Sequence, residues 1–205
     1  ICYIVINNLK KLIIRMGHST SVGDEGGFAP MIKDNELALK LIKKAIKNSG
    51  FKLGTDISIC LDVAANELIK NKKYAIHSKK YISVDETISK YLKLINRYKI
   101  LSIEDPFGEN DWSSWSKLTN KLKKKVQIVG DDLYVTNLER LKVGFLKQSS
   151  NAILIKLNQI GTVSETIEAI ELAKSHDMNY IISHRSGETE DTFISDLSVA
   201  MGGGQ

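Results

Sequence analysis

Cysteine is nearly missing from this 205-residue chain, which has only Cys2 and Cys60. Two such residues make neither a metal-ligand pattern nor a disulfide framework. Cys60, set in an apolar strand-like run, reads as a small core residue in a reducing compartment. No apolar run is long enough to span a bilayer. Apolar residues precede basic ones at the N-terminus, the reverse of a secretory signal. The chain lacks an initiating methionine and stops on the loop Met201-Gly-Gly-Gly-Gln205, which predicts a piece of a longer protein. No Gly-x-Gly-x-x-Gly opens a helix after a strand, so nothing supports a dinucleotide fold. No internal repeat or low-complexity segment stands out. The net charge is +5 and the sequence pI ≈ 9.0. The lysines, however, are dispersed over helical segments (Lys40, Lys43, Lys44 and Lys47; Lys121 and Lys123–Lys125) with no aromatic residues interleaved. That is the pattern of a solvated face rather than a nucleic-acid surface.

What is present is ordinary globular material, 42% apolar and 26% charged, enough for one substantial core. Its central stretch is AILIKLNQIG, residues 152–161, an apolar run with one lysine set into it. Bounded by polar residues and a glycine, the run fits a buried strand. Lys156 then stands near its carboxyl end. The plain reading is a lysine that snorkels from the strand end to water. The other is a lysine partly stripped of water, whose neutral form can accept a proton.

The rest of the chain alternates. Helical patterns cover residues 8–16, 34–48, 137–147 and 189–200, with a tryptophan-bearing helix after residue 107. Capping boxes at Ser83-Val-Asp-Glu86 and Thr162-Val-Ser-Glu165 open two more, running to about residues 98 and 175. Strand-like runs cover 21–25, 57–63, 100–104, 126–129, the run before Lys156, and 179–183. Strand–helix alternation with short connections predicts parallel strands with crossover helices. The six strand candidates end in Glu25, Asp62, Glu104, Asp131, Lys156 and His184-Arg185. Carboxyl ends of strands are where a (β/α)₈ barrel carries its catalytic groups.

Asp62, Glu104 and Asp131 come from consecutive strands and could converge. Clustered acids repel one another unless a cation sits among them, and an all-oxygen set favours Mg²⁺. Each acid alone would read as a solvated carboxylate or helix cap. Asp105 and Asp132 adjoin the candidates, and a shift of one residue would exchange them. His184, Arg185 and Ser186 offer imidazole, guanidinium and hydroxyl groups suited to a phosphate or carboxylate. The acidic stretch 187–191 reads as a cap for the last helix. A lysine base, a divalent cation and an anion clamp together point to proton abstraction beside a carboxylate. Lysine with Mg²⁺ is a general arrangement for that chemistry.

These blocks resemble the enolase family. The matching stretches are STSVGDEGGFAP (19–30), LDVAANE (61–67), SIEDPF (102–107), GDDLYVTN (130–137), LIKLNQIGTVSET (154–166) and SHRSGETEDTFISDL (183–197). The resemblance implies an α/β fold, an incomplete TIM (β/α) barrel with about six of eight strands. It implies that residues 1–205 are part of the family's C-terminal barrel domain, with the N-terminal α+β domain absent. The implied reaction is Mg²⁺-dependent dehydration of 2-phospho-D-glycerate to phosphoenolpyruvate, a glycolytic lyase step. In it Lys156 is the base and Glu25 the acid that helps expel the hydroxyl. Asp62, Glu104 and Asp131 are the Mg²⁺ ligands, and His184, Arg185 and Ser186 bind substrate. A cytoplasmic homodimer or larger assembly is implied for the full-length protein, with neither a membrane span nor a nucleic-acid partner. The competing readings are a non-catalytic member acting as a binding or surface protein, and a related racemase or cycloisomerase. Asn66 and Gly130 depart from the family pattern, where serine and alanine are usual.

Overall fold

The computed structural model describes residues 1–32, 34–76, 80–187 and 189–205. Its elements run α1 (Cys2–Arg15), α2 (Asn35–Asn48), β1 (Ile59–Asp62), β2 (Ile69–Lys70), β3 (Lys73–Tyr74), α3 (Val84–Tyr98) and β4 (Ile100–Glu104). They continue with α4 (Trp112–Leu122), β5 (Gln127–Gly130), α5 (Leu138–Lys147), β6 (Ala152–Ile155), α6 (Leu157–Ile160), α7 (Val163–Ser175), β7 (Asn179–Ile182) and α8 (Phe193–Met201). The chain divides into two compact units, Ile1–Cys60 with Lys70–Leu101 and Leu61–Ile69 with Ser102–Gln205.

In the first unit α1 packs on α2. Val5, Leu12 and Ile13 of α1 and Leu39, Leu41, Ala45 and Ile46 of α2 are buried, the spacing of an apolar helix stripe. Asp34 caps α2 by accepting the Glu36 N–H at 2.8 Å. Ser83 and Glu86 form the full reciprocal capping box at the start of α3, as the sequence predicts. Helix α1 begins six residues before the predicted start at residue 8, because the β-branched run that opens the chain is helical too. The expected strand at 21–25 is a loop carrying a single bridge, Val22 to Phe28. Val22 is exposed, Gly23 interrupts the run and Gly26 and Gly27 follow it, so no apolar face is available to bury a strand there.

Five of the six strand candidates are strands of one sheet, ordered β1-β4-β5-β6-β7. The sheet does not close into a barrel among the described residues. β4 to β7 pair in parallel. Register sets Glu104 opposite Val129, Gly130 opposite Ile153 and Ile155 opposite Ile182, so the carboxyl ends lie side by side. All four residues of β6 are buried, which is why it reads as an unbroken apolar run. Val129, Ala152 and Leu154 form a core cluster with Ile181 against it. Burial of each larger side chain stabilises the sheet by about 1.5–3 kcal/mol. In β1 Cys60 is exposed, correcting its reading as a core residue: strand alternation turns Ile59 inward and Cys60 outward.

Loops at the carboxyl edge are tied by polar contacts. Arg140 of α5 donates from Nε to the Leu133 carbonyl at 2.6 Å and from a terminal nitrogen to the Glu109 carbonyl at 2.5 Å. It thereby holds the segments after β4 and β5 together. Tyr134 is fully buried, with its hydroxyl 2.7 Å from Ser150 Oγ. A Cβ at Gly130 would come within 2.6 Å of the Tyr134 ring. The glycine that departs from the family pattern therefore makes room for that ring. The predicted cap at 187–191 is present in Asp191, whose Oδ1 accepts the Phe193 N–H at 2.9 Å; Glu188 of that stretch lies outside the described residues.

Candidate active site

The second unit brings four predicted residues to one sheet edge. Asp62 ends β1, Glu104 ends β4, Asp131 follows β5 and Lys156 follows β6. Strand β6 stops at Ile155, and Lys156 occupies the N-cap of the one-turn helix α6. Its Nζ donates to Asp131 Oδ2 at 2.5 Å, with both side chains largely buried. The lysine therefore does not snorkel away from the strand end. It turns onto the carboxylate that follows the neighbouring strand β5.

The acids feel one another's charge. Burial pushes the Glu104 carboxyl up to about 8, with further upward push from Asp62, Asp131 and Asp105 and a smaller opposing pull from Lys156. Asp62 is raised from its ordinary value, first by loss of water and then by Asp131, while the Ala64 N–H on its Oδ1 (3.1 Å) works against the shift. The expected trio is thus electrostatically coupled, and its excess negative charge is offset by one lysine. An all-oxygen set suits a small hard cation where its ligand atoms converge, and of the expected trio only Asp131 belongs to the convergent acid group found among the described residues.

In that group the carboxylate oxygens of Asp105, Asp131 and Asp132 lie within 4.8 Å of one another and could hold a metal ion. Asp105, however, is already engaged. It accepts the backbone N–H groups of Asp131 at 3.0 Å and Asp132 at 2.9 Å, and its own backbone is left-handed at φ 41°. Burial raises its carboxyl to about 7 against the pull of those two donors. Asp105 is the brace that shapes the Asp131–Asp132 turn. Asp132 accepts from Asn66 Nδ2 at 2.8 Å, and Asn66 Oδ1 accepts the Glu109 N–H at 2.9 Å. The asparagine that departs from the family pattern so cross-links two loops. The adjacency of Asp105 and Asp132 to predicted ligands was visible in the sequence; the backbone donors that occupy Asp105 were not.

His184, Arg185 and Ser186 follow β7, the sheet neighbour of β6, and are exposed. The Ser183 N–H donates to the Ile155 carbonyl at 2.9 Å, holding the start of this loop beside Lys156. Arg185 donates to Asn158 Oδ1 at 2.8 Å, two residues beyond Lys156. His184 Nδ1 lies 2.9 Å from the Arg185 carbonyl. Glu25 belongs to the first unit, in an exposed loop closed by Gly23 N–H to the Gly27 carbonyl at 2.9 Å. Among the described residues no helix is long and apolar enough to cross a membrane.

Comparison with known proteins bears on this geometry. The family model "Enolase, C-terminal TIM barrel domain" matches residues 2–205. An enolase of Pelagibacter ubique (strain HTCC1062) is 69% identical over 205 residues, covering 100% of this chain and 49% of that protein. The chain spans about half the length of this curated relative.

Proposed function

Since the chain belongs to the enolase C-terminal TIM-barrel family, we propose that it carries the proton-abstracting half of an enolase site. The reaction is the reversible dehydration of 2-phospho-D-glycerate to phosphoenolpyruvate. The observation that carries this reading is the Lys156–Asp131 contact within a cluster of mutually repelling carboxylates at the carboxyl edge of a parallel sheet. The 69% identity to a curated enolase supports it.

In this reading Lys156, in its neutral amine form, takes the proton beside the substrate carboxylate and becomes the ammonium that Asp131 accepts from. Asp62, Glu104 and Asp131 hold Mg²⁺, which when bound supplies positive charge to the carboxylate oxygens of the reacting acid. Asp105 and Asp132 support that set, Asp105 through the turn it braces. Largely buried, Lys156 and Asp131 sit where water is scarce, so each electrostatic contact counts for more than it would in bulk solvent. Arg185, His184 and Ser186 bind the substrate's anionic group, the guanidinium by a planar fork and the hydroxyl by a single bond. Glu25 is the acid that assists departure of the hydroxyl. Residues 1–205 form part of the catalytic barrel domain, and the substrate is a small phosphorylated acid.

The test is a phosphoenolpyruvate-formation assay on the purified chain with 2-phosphoglycerate and Mg²⁺, beside Lys156→Ala. Turnover that requires Mg²⁺ and is lost in the variant supports the reading. A folded, Mg²⁺-loaded chain that neither binds nor converts 2-phosphoglycerate overturns it.

A further inference from the structure

Lys156 and Asp131 are joined a second time, through two residues that the proposed reaction does not use. The Lys156 backbone N–H donates to Thr136 Oγ1 at 2.9 Å. The Thr136 hydroxyl donates in turn to Gln159 Oε1 at 2.9 Å. Gln159 Nε2 then donates to Asp131 Oδ1 at 3.3 Å, and Lys156 Nζ closes the ring on Asp131 Oδ2. Every member is used in the one sense its chemistry permits. An amide turned the other way would set Gln159 Oε1 against the Asp131 carboxylate, two acceptors with no proton between them.

Thr136 is also held in an uncommon backbone state. It is fully buried and left-handed at φ 52°, directly after Val135 at φ 44°. Two β-branched residues in succession in this region are strained, and such strain persists only where surrounding contacts over-determine it. Here the contacts are the two hydrogen bonds of the Thr136 hydroxyl, one to each end of the segment that carries Lys156.

We infer that Thr136 and Gln159 are positioning residues, which fix the Lys156 ammonium group and the Asp131 carboxylate in one relative placement. Gln159 holds the oxygen of Asp131 that Lys156 does not, so the carboxylate is prevented from rotating about its Cβ bond. Thr136 fixes the backbone from which Lys156 projects. The inference rests on reading Lys156 as the base, but the ring itself is independent of turnover.

The experiment is the rate of Lys156 acylation by acetic anhydride, followed site by site by mass spectrometry, with exposed Lys142 as internal reference. It compares the unaltered chain with Gln159→Met, Thr136→Val and Thr136→Ser. Gln159→Met and Thr136→Val each remove two hydrogen bonds of the ring, and opening it is expected to free Lys156 by about fivefold. Faster acylation is therefore expected in Gln159→Met and Thr136→Val, with Lys142 unchanged. Thr136→Ser keeps the hydroxyl and is expected to keep the original rate. Thr136 is fully buried; if its valine variant does not fold, Gln159→Met, at a half-buried position, decides alone. A Lys156 rate in Gln159→Met within twofold of the unaltered chain overturns the inference, as does a Thr136→Ser rate as high as that of Gln159→Met. Absence of turnover in the unaltered chain would count against the proposed reaction and leave these rates fully readable.

Discussion

Two glutamates set the two units apart. Glu36 in the first unit accepts the Tyr98 hydroxyl at 2.8 Å and an Arg97 nitrogen at 2.6 Å. Its carboxyl is held below the ordinary value, first by Tyr98 and then by Arg97. Glu104 in the second unit is surrounded by Asp62, Asp131 and Asp105, and burial with those charges pushes it up to about 8. One acid is satisfied by donors on its own fold. The other is buried in negative company with Lys156 as the opposing charge. A fold selected for stability alone has little reason to bury an acid this way, so the contrast marks the sheet edge as the place where function sets the residues.

The largest effects should come from removing the charge partners at that edge. Lys156→Ala is expected to lower turnover about a thousandfold, the scale of a lost general base, measured in the phosphoenolpyruvate-formation assay with Mg²⁺ saturating. Asp131→Asn is expected to weaken Mg²⁺ binding in calorimetry while leaving the circular dichroism spectrum unchanged. Unaltered Mg²⁺ affinity would remove Asp131 from the ligand set.

Asp105 sharpens the comparison from within the second unit, because each of its oxygens accepts from a backbone donor, whereas Glu36 Oε1 accepts from two side chains. Asp105→Ala leaves two backbone N–H groups at the Asp131–Asp132 turn without an acceptor. The expected cost is about 3 kcal/mol, a fall of roughly 10 °C in Tm for a chain of this size. A much smaller loss would show that the turn does not depend on its brace.

pH then separates the two glutamates by sign. Glu104 ionises near 4.5 in the unfolded chain and near 8 in the metal-free fold. The unfolded state therefore releases its proton first, and stability falls as pH rises between those values. Glu104→Gln is expected to flatten that fall, by about 1–2 kcal/mol at pH 8 after allowance for relaxation around the site. Glu36 runs the other way. Its contribution is present above the unfolded value of 4.5 and disappears as pH drops through its lowered folded value. Because Arg97 is largely exposed, Glu36→Gln is expected to cost under about 1 kcal/mol. Urea midpoints of both variants across pH 3–9 check the pair.

Much of this was legible in the sequence. Apolar runs ending in ionisable residues located five strands and the four ionisable residues at their carboxyl edge, since a parallel strand buried on both faces leaves a plain signal. The capping box at Ser83–Glu86 fixed the start of α3 because its chemistry is local. The loop at 21–25 was misread because a valine near glycines imitates a strand, and burial alone tells them apart. Cys60 was misplaced because a short run does not show which way its alternation faces. The roles of Asp105, Thr136 and Gln159 were hidden, since each depends on a hydrogen bond to a residue 20 or more positions away. No spacing rule reaches that far.

The most direct test of the central claim is the thermal midpoint of the chain from pH 5 to pH 8, with and without saturating Mg²⁺. If the sheet-edge acids await a cation, the metal-free midpoint falls across that range, on the order of 5 °C, and Mg²⁺ abolishes the fall by binding their ionised forms. An identical pH dependence with and without Mg²⁺ would contradict the account and reduce the cluster to an unfavourable accident of packing.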